Sequence, residues 1–264
     1  MQVSIEAVVV REKRLEDYDR LLTLLTRDKG IITAYAKGAA KLRGSMVSST
    51  ELLCYSRFQI FQKGDKYFVD KAESNTVFFG IRQDFDKLSL ATYFCQLLCE
   101  LVPPLDCEDG YLRLMLNALH YLEKDKMSPT LLKPLFELRL LSMAGYMPDL
   151  IACCGCGELP DGKLFFSPSD GVVYCEECRP PVRSDIFEIS AGNFSAMRHI
   201  IYSDFNKLYS FRLSDTGAWE LNRTCRTYLL AQVERMLPAL SYYETLVCPF
   251  GGKPTDIEGE NNDQ

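Results

Sequence analysis

No stretch of about 18 apolar residues free of charge runs through the 264-residue sequence, so no membrane-spanning helix is expected. The start, Met1-Gln2-Val3-Ser4-Ile5-Glu6, lacks the basic residues and apolar core of a secretory leader, and a cytoplasmic protein is expected. Histidine is scarce: there are two, His120 and His199, each alone on a helical segment, which speaks against a His-ligated hydrolytic metal. The phosphate loop G-x4-G-K-[ST] is missing, as are G-x-S-x-G, H-E-x-x-H and G-x-G-x-x-G. Gly251-Gly252-Lys253-Pro254-Thr255 lacks the first glycine of a phosphate loop, and Asp84-Phe85-Asp86 reads as helix capping rather than a magnesium site. No repeat of 20–50 residues recurs. The chain is therefore not read as an enzyme, and a nuclease would rest on composition alone.

Composition is that of an ordinary globular protein, with 47% hydrophobic and 25% charged residues, enough chain for about two domains. The net charge of −6 is unevenly spread. Residues 1–80 carry 13 Lys and Arg against 10 Asp and Glu, whereas residues 81–264 carry 17 against 26. A basic module on an acidic body can still bind a polyanion locally.

Period-2 and β-branched runs at 3–10, 19–26, 31–36, 51–61 and 66–72 predict five short strands separated by turn residues. Such a set makes a small antiparallel barrel, of the oligonucleotide-binding (OB) type or, as runner-up, SH3-like. From Asp84 the period becomes helical, with Leu88, Ala91, Phe94, Cys95, Leu98 and Leu101 on one face. Further helices are expected at 111–122, after Ser128-Pro129 (an N-cap followed by a first-turn proline), at 192–203 and at 217–237. The fold class is thus α+β and multidomain: a barrel domain over 1–80, a helical domain over 81–248 with an insertion at about 151–183, and a disordered tail over 249–264.

Eleven cysteines, an odd number in a chain for which no secretory leader is expected, do not read as a disulfide framework. Cys54, Cys95, Cys99, Cys107, Cys225 and Cys248 are scattered and read as small buried hydrophobes. The remaining five cluster in the insertion. Cys153-x2-Cys156, 18 residues, then Cys175-x2-Cys178 is the spacing of two knuckles that share one tetrahedral ion. Cys154 sits between the presumed ligands and is left out, because both knuckles then have equal spacing. Lys163–Phe166 and Gly171–Tyr174 would be the strands of the ribbon between them. Four thiolates leave no open position, so one structural Zn²⁺ per chain is expected.

The polyanion candidate is Lys37, Lys41 and Arg43, in the Gly- and Ala-rich run 36–45 that carries no negative charge. Arg11, Lys13 and Arg14 follow the first strand, and Arg57, Lys63 and Lys66 lie on the later hairpin. Of the aromatics on these strands, Tyr35, Tyr55, Phe58 and Tyr67 are weighed as stacking surfaces and read as barrel core.

Glu6-Ala7-Val8-Val9-Val10-Arg11, Glu16 through Thr26, Gly30 and Ala36-Lys37-Gly38-Ala39 resemble, in that order, the start of the bacterial recombination mediators of the RecO family. Phe136 through Leu141, Gly145-Tyr146-Met147-Pro148, Cys153 through Gly157 and the closing helix 229–237 continue the resemblance to about residue 246. One departure is that Leu15-Glu16-Asp17-Tyr18 lacks the Tyr-Gly pair expected before Asp19. The resemblance implies an OB barrel, a helical body and a zinc ribbon. It also implies recombinational DNA repair in the cytoplasm, at the nucleoid: binding of single- and double-stranded DNA, strand annealing and, with RecR, assistance to RecA on strands coated by single-stranded-DNA-binding protein. The acidic, Phe-ending tail of that coating protein would suit an apolar groove edged by arginine, for which Arg113 and Arg139 are the candidates. The alternative is a zinc-ribbon interaction scaffold with no DNA contact, favoured by the acidic net charge.

Overall fold

The computed structural model describes residues 2–41, 44–103, 110–159, 162–181, 185–233, 235 and 237–247. Arg43, Cys107, Cys248 and the tail expected to be disordered lie outside them.

Five strands, β1 (Gln2–Arg14), β2 (Arg20–Thr26), β3 (Ile31–Ala36), β4 (Cys54–Lys63) and β5 (Lys66–Val77), close into a barrel in the order β1-β2-β3-β5-β4. All neighbours are antiparallel except β3 and β5, which run parallel through Ala34↔Tyr67, Tyr35↔Phe68 and Ala36↔Val69. That order and that one parallel pair make this the five-stranded OB barrel rather than the SH3-like runner-up. β1 shows why its alternation gives way to Val8-Val9-Val10. Ile5, Ala7 and Val9 point into the barrel, while Val8 and Val10 point out into the core of the helical body. The strand separates two cores, so both of its faces are apolar.

Several strand boundaries move. β1 runs on to Arg14 rather than Val10, because β2 pairs with it as far as Arg14↔Arg20, so Arg11, Lys13 and Arg14 stand on the strand rather than after it. β4 starts at Cys54 rather than Glu51, because Leu53 takes a left-handed φ of 65° and Arg82 holds the turn through Glu51 and the Leu52 carbonyl. β5 runs on to Val77 rather than Ala72, since β4 pairs with it as far as Cys54↔Val77 and carries its polar end along.

Helices follow: α1 (Phe79–Arg82), α2 (Phe85–Leu101), α3 (Gly110–Glu123), α4 (Pro129–Met143), α5 (Ala191–Tyr202), α6 (Asp215–Val233) and α7 (Pro238–Val247). Asp84 caps α2 as expected, its Oδ1 accepting from the backbone N–H of Asp86 and Lys87 at 3.0 and 3.1 Å. Ser128 precedes Pro129 as expected, but its hydroxyl makes no capping bond. The helix expected over 217–237 is two: α6 stops at Val233, and α7 starts on Pro238, which a first-turn position tolerates and a helix interior does not. Within the helical body α4 packs against α2, α3, α5 and α6.

The insertion is larger than the hairpin read from sequence. β7 (Leu164–Ser167) and β8 (Val172–Cys175) form that hairpin, and β6 (Asp149–Cys153) and β9 (Phe187–Ile189) extend it to a sheet in the order β6-β8-β7-β9. No described helix is long and apolar enough to cross a membrane.

Candidate metal centre and nucleic-acid interface

Cys153 ends β6 and Cys175 ends β8, and the parallel β6–β8 pairing, with Cys153 opposite Val173, sets them side by side. Each is followed by a tight turn that brings a second cysteine back, so the sulfurs of Cys153, Cys156, Cys175 and Cys178 all lie within 4.8 Å of one another. A zinc–thiolate bond of about 2.3 Å requires sulfurs about 3.8 Å apart in a tetrahedron, so the four fit one ion. Gly157 takes a φ of 75° and donates its N–H to the Cys153 carbonyl at 2.9 Å, the role its place after the first pair indicated. Gly155 has a sharper role that the spacing did not reveal: a Cβ there would lie 2.6 Å from Cys178 Cβ and 2.8 Å from its sulfur. Cys154 is exposed and stands outside the four, its N–H spent on the Val173 carbonyl.

Burial works to raise the Cys153 thiol, but backbone N–H groups of Cys156, Cys175 and Gly155 donate to its sulfur and hold it down to about 6. The Cys175 N–H does so at 3.3 Å. Hydrogen bonding to the Cys175 sulfur, then desolvation, pushes Cys178 up to about 12. The N–H donors thus favour the thiolate form of Cys153, the form that ligates a metal.

The basic residues do not all gather at one place. Lys37 and Lys41 lie in the loop after β3, whose path is fixed by Gly38 at φ 64°, by the Gly38 N–H donating to Asp19 Oδ1 at 2.6 Å, and by Ala40 N–H donating to the Tyr18 carbonyl at 2.8 Å. Asp19 therefore puts one carboxylate behind the loop, a contact across 19 residues that reading along the chain missed. Lys13 lies opposite Leu21, and Leu21 opposite Tyr35, so Lys13 shares the outer face of β3. Lys63 and Lys66 pair across the β4–β5 hairpin, and Lys66 Nζ stands 5.6 Å from the Tyr35 ring centre. Lys13, Arg14, Lys37, Lys41 and Lys63 are exposed with no carboxylate partner among the described residues. Arg57 stands apart, paired with Glu6 at 3.2 Å. The Tyr55 hydroxyl, then Arg57, holds that carboxyl below its ordinary value. Arg11 lines a cleft of about 380 Å³ against Cys95, Cys99 and Pro238 instead.

The aromatics divide. Phe58 is fully buried in the barrel, Tyr67 packs against that core and Tyr55 donates to Glu6 at 2.9 Å. Tyr35 instead faces outward and stacks on Phe68, which stacks on Phe61. Phe61 and Phe68 escaped the sequence reading; only the strand register shows that they share a face with Tyr35.

Arg113 of α3 and Arg139 of α4 do converge, each with its guanidinium carbon 4.9 Å from the centre of one ring, Phe205 of this same chain. Arg113 also donates to Asn206 Oδ1 at 2.7 Å and Arg139 to the Ile201 carbonyl at 2.5 Å.

Comparison with known proteins places the whole arrangement. The family model described as the N-terminal part of recombination protein O matches residues 1–78, and the C-terminal one matches 82–241. The chain belongs to the RecO family. Proteins named DNA repair protein RecO are 30% identical to it over 239 residues in Acetivibrio thermocellus and 31% over 246 in Symbiobacterium thermophilum. The first alignment covers 90% of this chain and 95% of that protein, the second 92% and 97%. In Desulforudis audaxviator a relative of the same name is 35% identical over 185 residues, covering 69% and 74%. Membership of the RecO family assigns the chain to DNA repair and recombination.

Proposed function

We propose that this RecO-family chain is a non-catalytic mediator of recombinational repair. It binds single- and double-stranded DNA through the barrel, anneals complementary strands and, with RecR, assists RecA onto strands coated by single-stranded-DNA-binding protein. The observation that carries this reading is the set of exposed cations, Lys13, Lys37, Lys41 and Lys63, with no carboxylate partner among the described residues, together with Lys66 beside Tyr35, on an otherwise acidic protein. Arg43, next to the described part of the loop, adds a further charge. Annealing requires a surface that lowers phosphate–phosphate repulsion without reading bases, and point charges on flexible stems do that. The acidic helical body stays off the DNA and serves protein partners. Arg113, exposed beside Phe205, is where an acidic tail would be met, at the cost of displacing that ring.

In the same reading residues 1–80 form the nucleic-acid-binding domain, residues 81–248 the helical domain, and Cys153, Cys156, Cys175 and Cys178 hold one Zn²⁺. The ion would tie β6 to β8 and offer substrate no coordination site. The test is a Lys37→Ala/Lys41→Ala/Arg43→Ala variant titrated with labelled oligonucleotide across a salt series. Weaker binding, slower annealing and a slope of log K on log salt reduced by about one per lost phosphate contact are expected. Unchanged affinity and slope would leave the loop a solvated rim and favour the interaction scaffold.

A further inference from the structure

Three rings and two ammonium groups share one outward patch of the barrel. Tyr35 on β3 is in register with Phe68 on β5, and Phe68 with Phe61 on β4. Two residues further along the same faces, Lys63 and Lys66 form the next cross-strand pair. Tyr35 and Phe68 have ring centres 5.5 Å apart and planes inclined by 26°; for Phe68 and Phe61 the values are 5.4 Å and 16°. Nearly parallel planes at that separation are offset stacks, in which each ring covers only part of the next. The stack has two ends. Lys66 stands over the Tyr35 end. The other end is Phe61, 38% exposed, on a strand whose residues Phe58 and Ile60 fill the barrel core. The nearest acids on these two strands and their turn are Asp65 and Asp70, and Asp70 is occupied by the Gln2 amide at 3.0 Å.

An aromatic stack flanked by lysines is complementary to a chain that alternates flat rings with phosphates. We infer that Phe61, Phe68 and Tyr35 are a stacking platform for unpaired bases, with Phe61 taking the first base and Lys63 and Lys66 the phosphates beside it. This deepens the DNA-binding reading above and rests on it. A duplex cannot use the platform, because its base faces are already covered by their neighbours. The rings thus add a preference for single strands that the cations alone, which see only phosphate, do not supply.

The test uses the full-length chain and three labelled probes of equal length: oligo(dT), an abasic deoxyribose-phosphate oligomer and a mixed-sequence duplex. Phe61→Ala should weaken oligo(dT) binding by about five-fold or more. It should leave the abasic and duplex affinities, and the salt slope on all three, as in the parent. Phe61→Trp should restore oligo(dT) binding, with indole fluorescence quenched on binding beyond the signal of Trp219 in the parent. Melting curves matching the parent show that both variants fold. If the parent binds all three probes and Phe61→Ala binds oligo(dT) equally well, the platform is overturned while the electrostatic reading stands; a partner protein lost by that variant would then assign the face to protein. If the parent binds none of the probes, both readings fall together.

Discussion

Ile5, Val9, Leu22, Leu24 and Phe58 fill the barrel while most of its cations stand outside; the helical body is arranged the other way round, with an acidic surface and an ion pair in its core. Lys133 and Glu137, one turn apart on α4, are 1% and 0% exposed and meet at 2.8 Å. The Tyr93 hydroxyl of α2 donates to the same Glu137 oxygen at 2.5 Å, and Lys133 reaches Asn222 of α6 at 3.1 Å. Burial, then Glu137, pushes the Tyr93 phenol well above its ordinary value, so it remains a donor. Among the described residues of the barrel the comparable group is Arg20, 1% exposed, which pairs with Glu12 at 3.4 Å and fastens the 46–50 segment through the Val47 carbonyl and Thr50 at 2.9 and 2.8 Å. Charge in the body thus specifies how three helices meet, whereas on the barrel Lys13, Arg14, Lys37, Lys41 and Lys63 have no carboxylate partner among the described residues. Mutations in the body should cost stability, and mutations on the barrel surface should cost binding.

The largest expected effect is in the ribbon. On the proposed zinc reading, Cys175→Ser should abolish metal binding, and the 149–189 sheet should lose amide-exchange protection, because metal binding and local folding would then be one free energy. Cys154→Ser should retain the metal. Elemental analysis of both variants decides, and metal loss from the Cys154 variant alone would shift the ligand register. Next comes Glu137→Ala, which strands a buried ammonium and a buried phenol and should cost about 3–5 kcal/mol in denaturant melts. The double variant Lys133→Met/Glu137→Leu should recover most of that loss, since a buried pair replaced by apolar groups of similar volume is often neutral. If the double variant is as unstable as the single, the network does more than satisfy its own charges. On the barrel, the Lys37/Lys41/Arg43 triple alanine variant should unfold within about 0.5 kcal/mol of the parent even as its DNA affinity falls. A large loss of stability there would erase the contrast.

What could be read from the chain alone follows the same division between local and distant. The cluster of four cysteines was legible because two short turns and one hairpin bring them together, and spacing encodes turns. The barrel strands were legible from their period, and Ile31–Ala36 is placed to the residue. β6 and β9, of five and three residues, are defined by the partners they pair with rather than by a pattern of their own. Likewise Asp19 behind Gly38, Gly155 against Cys178, and Phe61 beside Phe68 are contacts between distant positions. Only register or topology reveals them. The Arg113–Arg139 pair shows the converse: a groove edged by these arginines for a partner's Phe-ending tail was expected, and what lies between them is the chain's own Phe205.

The smallest expected effect lies where the chain departs from its family's pattern. Tyr18 stands where a glycine is expected before Asp19, and its backbone keeps the left-handed conformation that glycine adopts freely, at φ 65°. A side chain in that region costs about 1–2 kcal/mol. The conformation is retained because the Tyr18 carbonyl accepts the Ala40 N–H at 2.8 Å and so helps anchor the basic loop. The ring itself is 61% exposed and contributes little packing. Tyr18→Gly removes the strain and keeps the carbonyl, but it frees the unfolded chain by roughly 0.5–1 kcal/mol. The net gain should be about 1 kcal/mol or less, a rise of a few degrees at most in the melting temperature. DNA affinity should not change if the Tyr18 ring is a bystander. A variant that melts higher but binds oligo(dT) more weakly would show that the strain is kept for the ring's sake, and would extend the aromatic face of the barrel to a fourth residue.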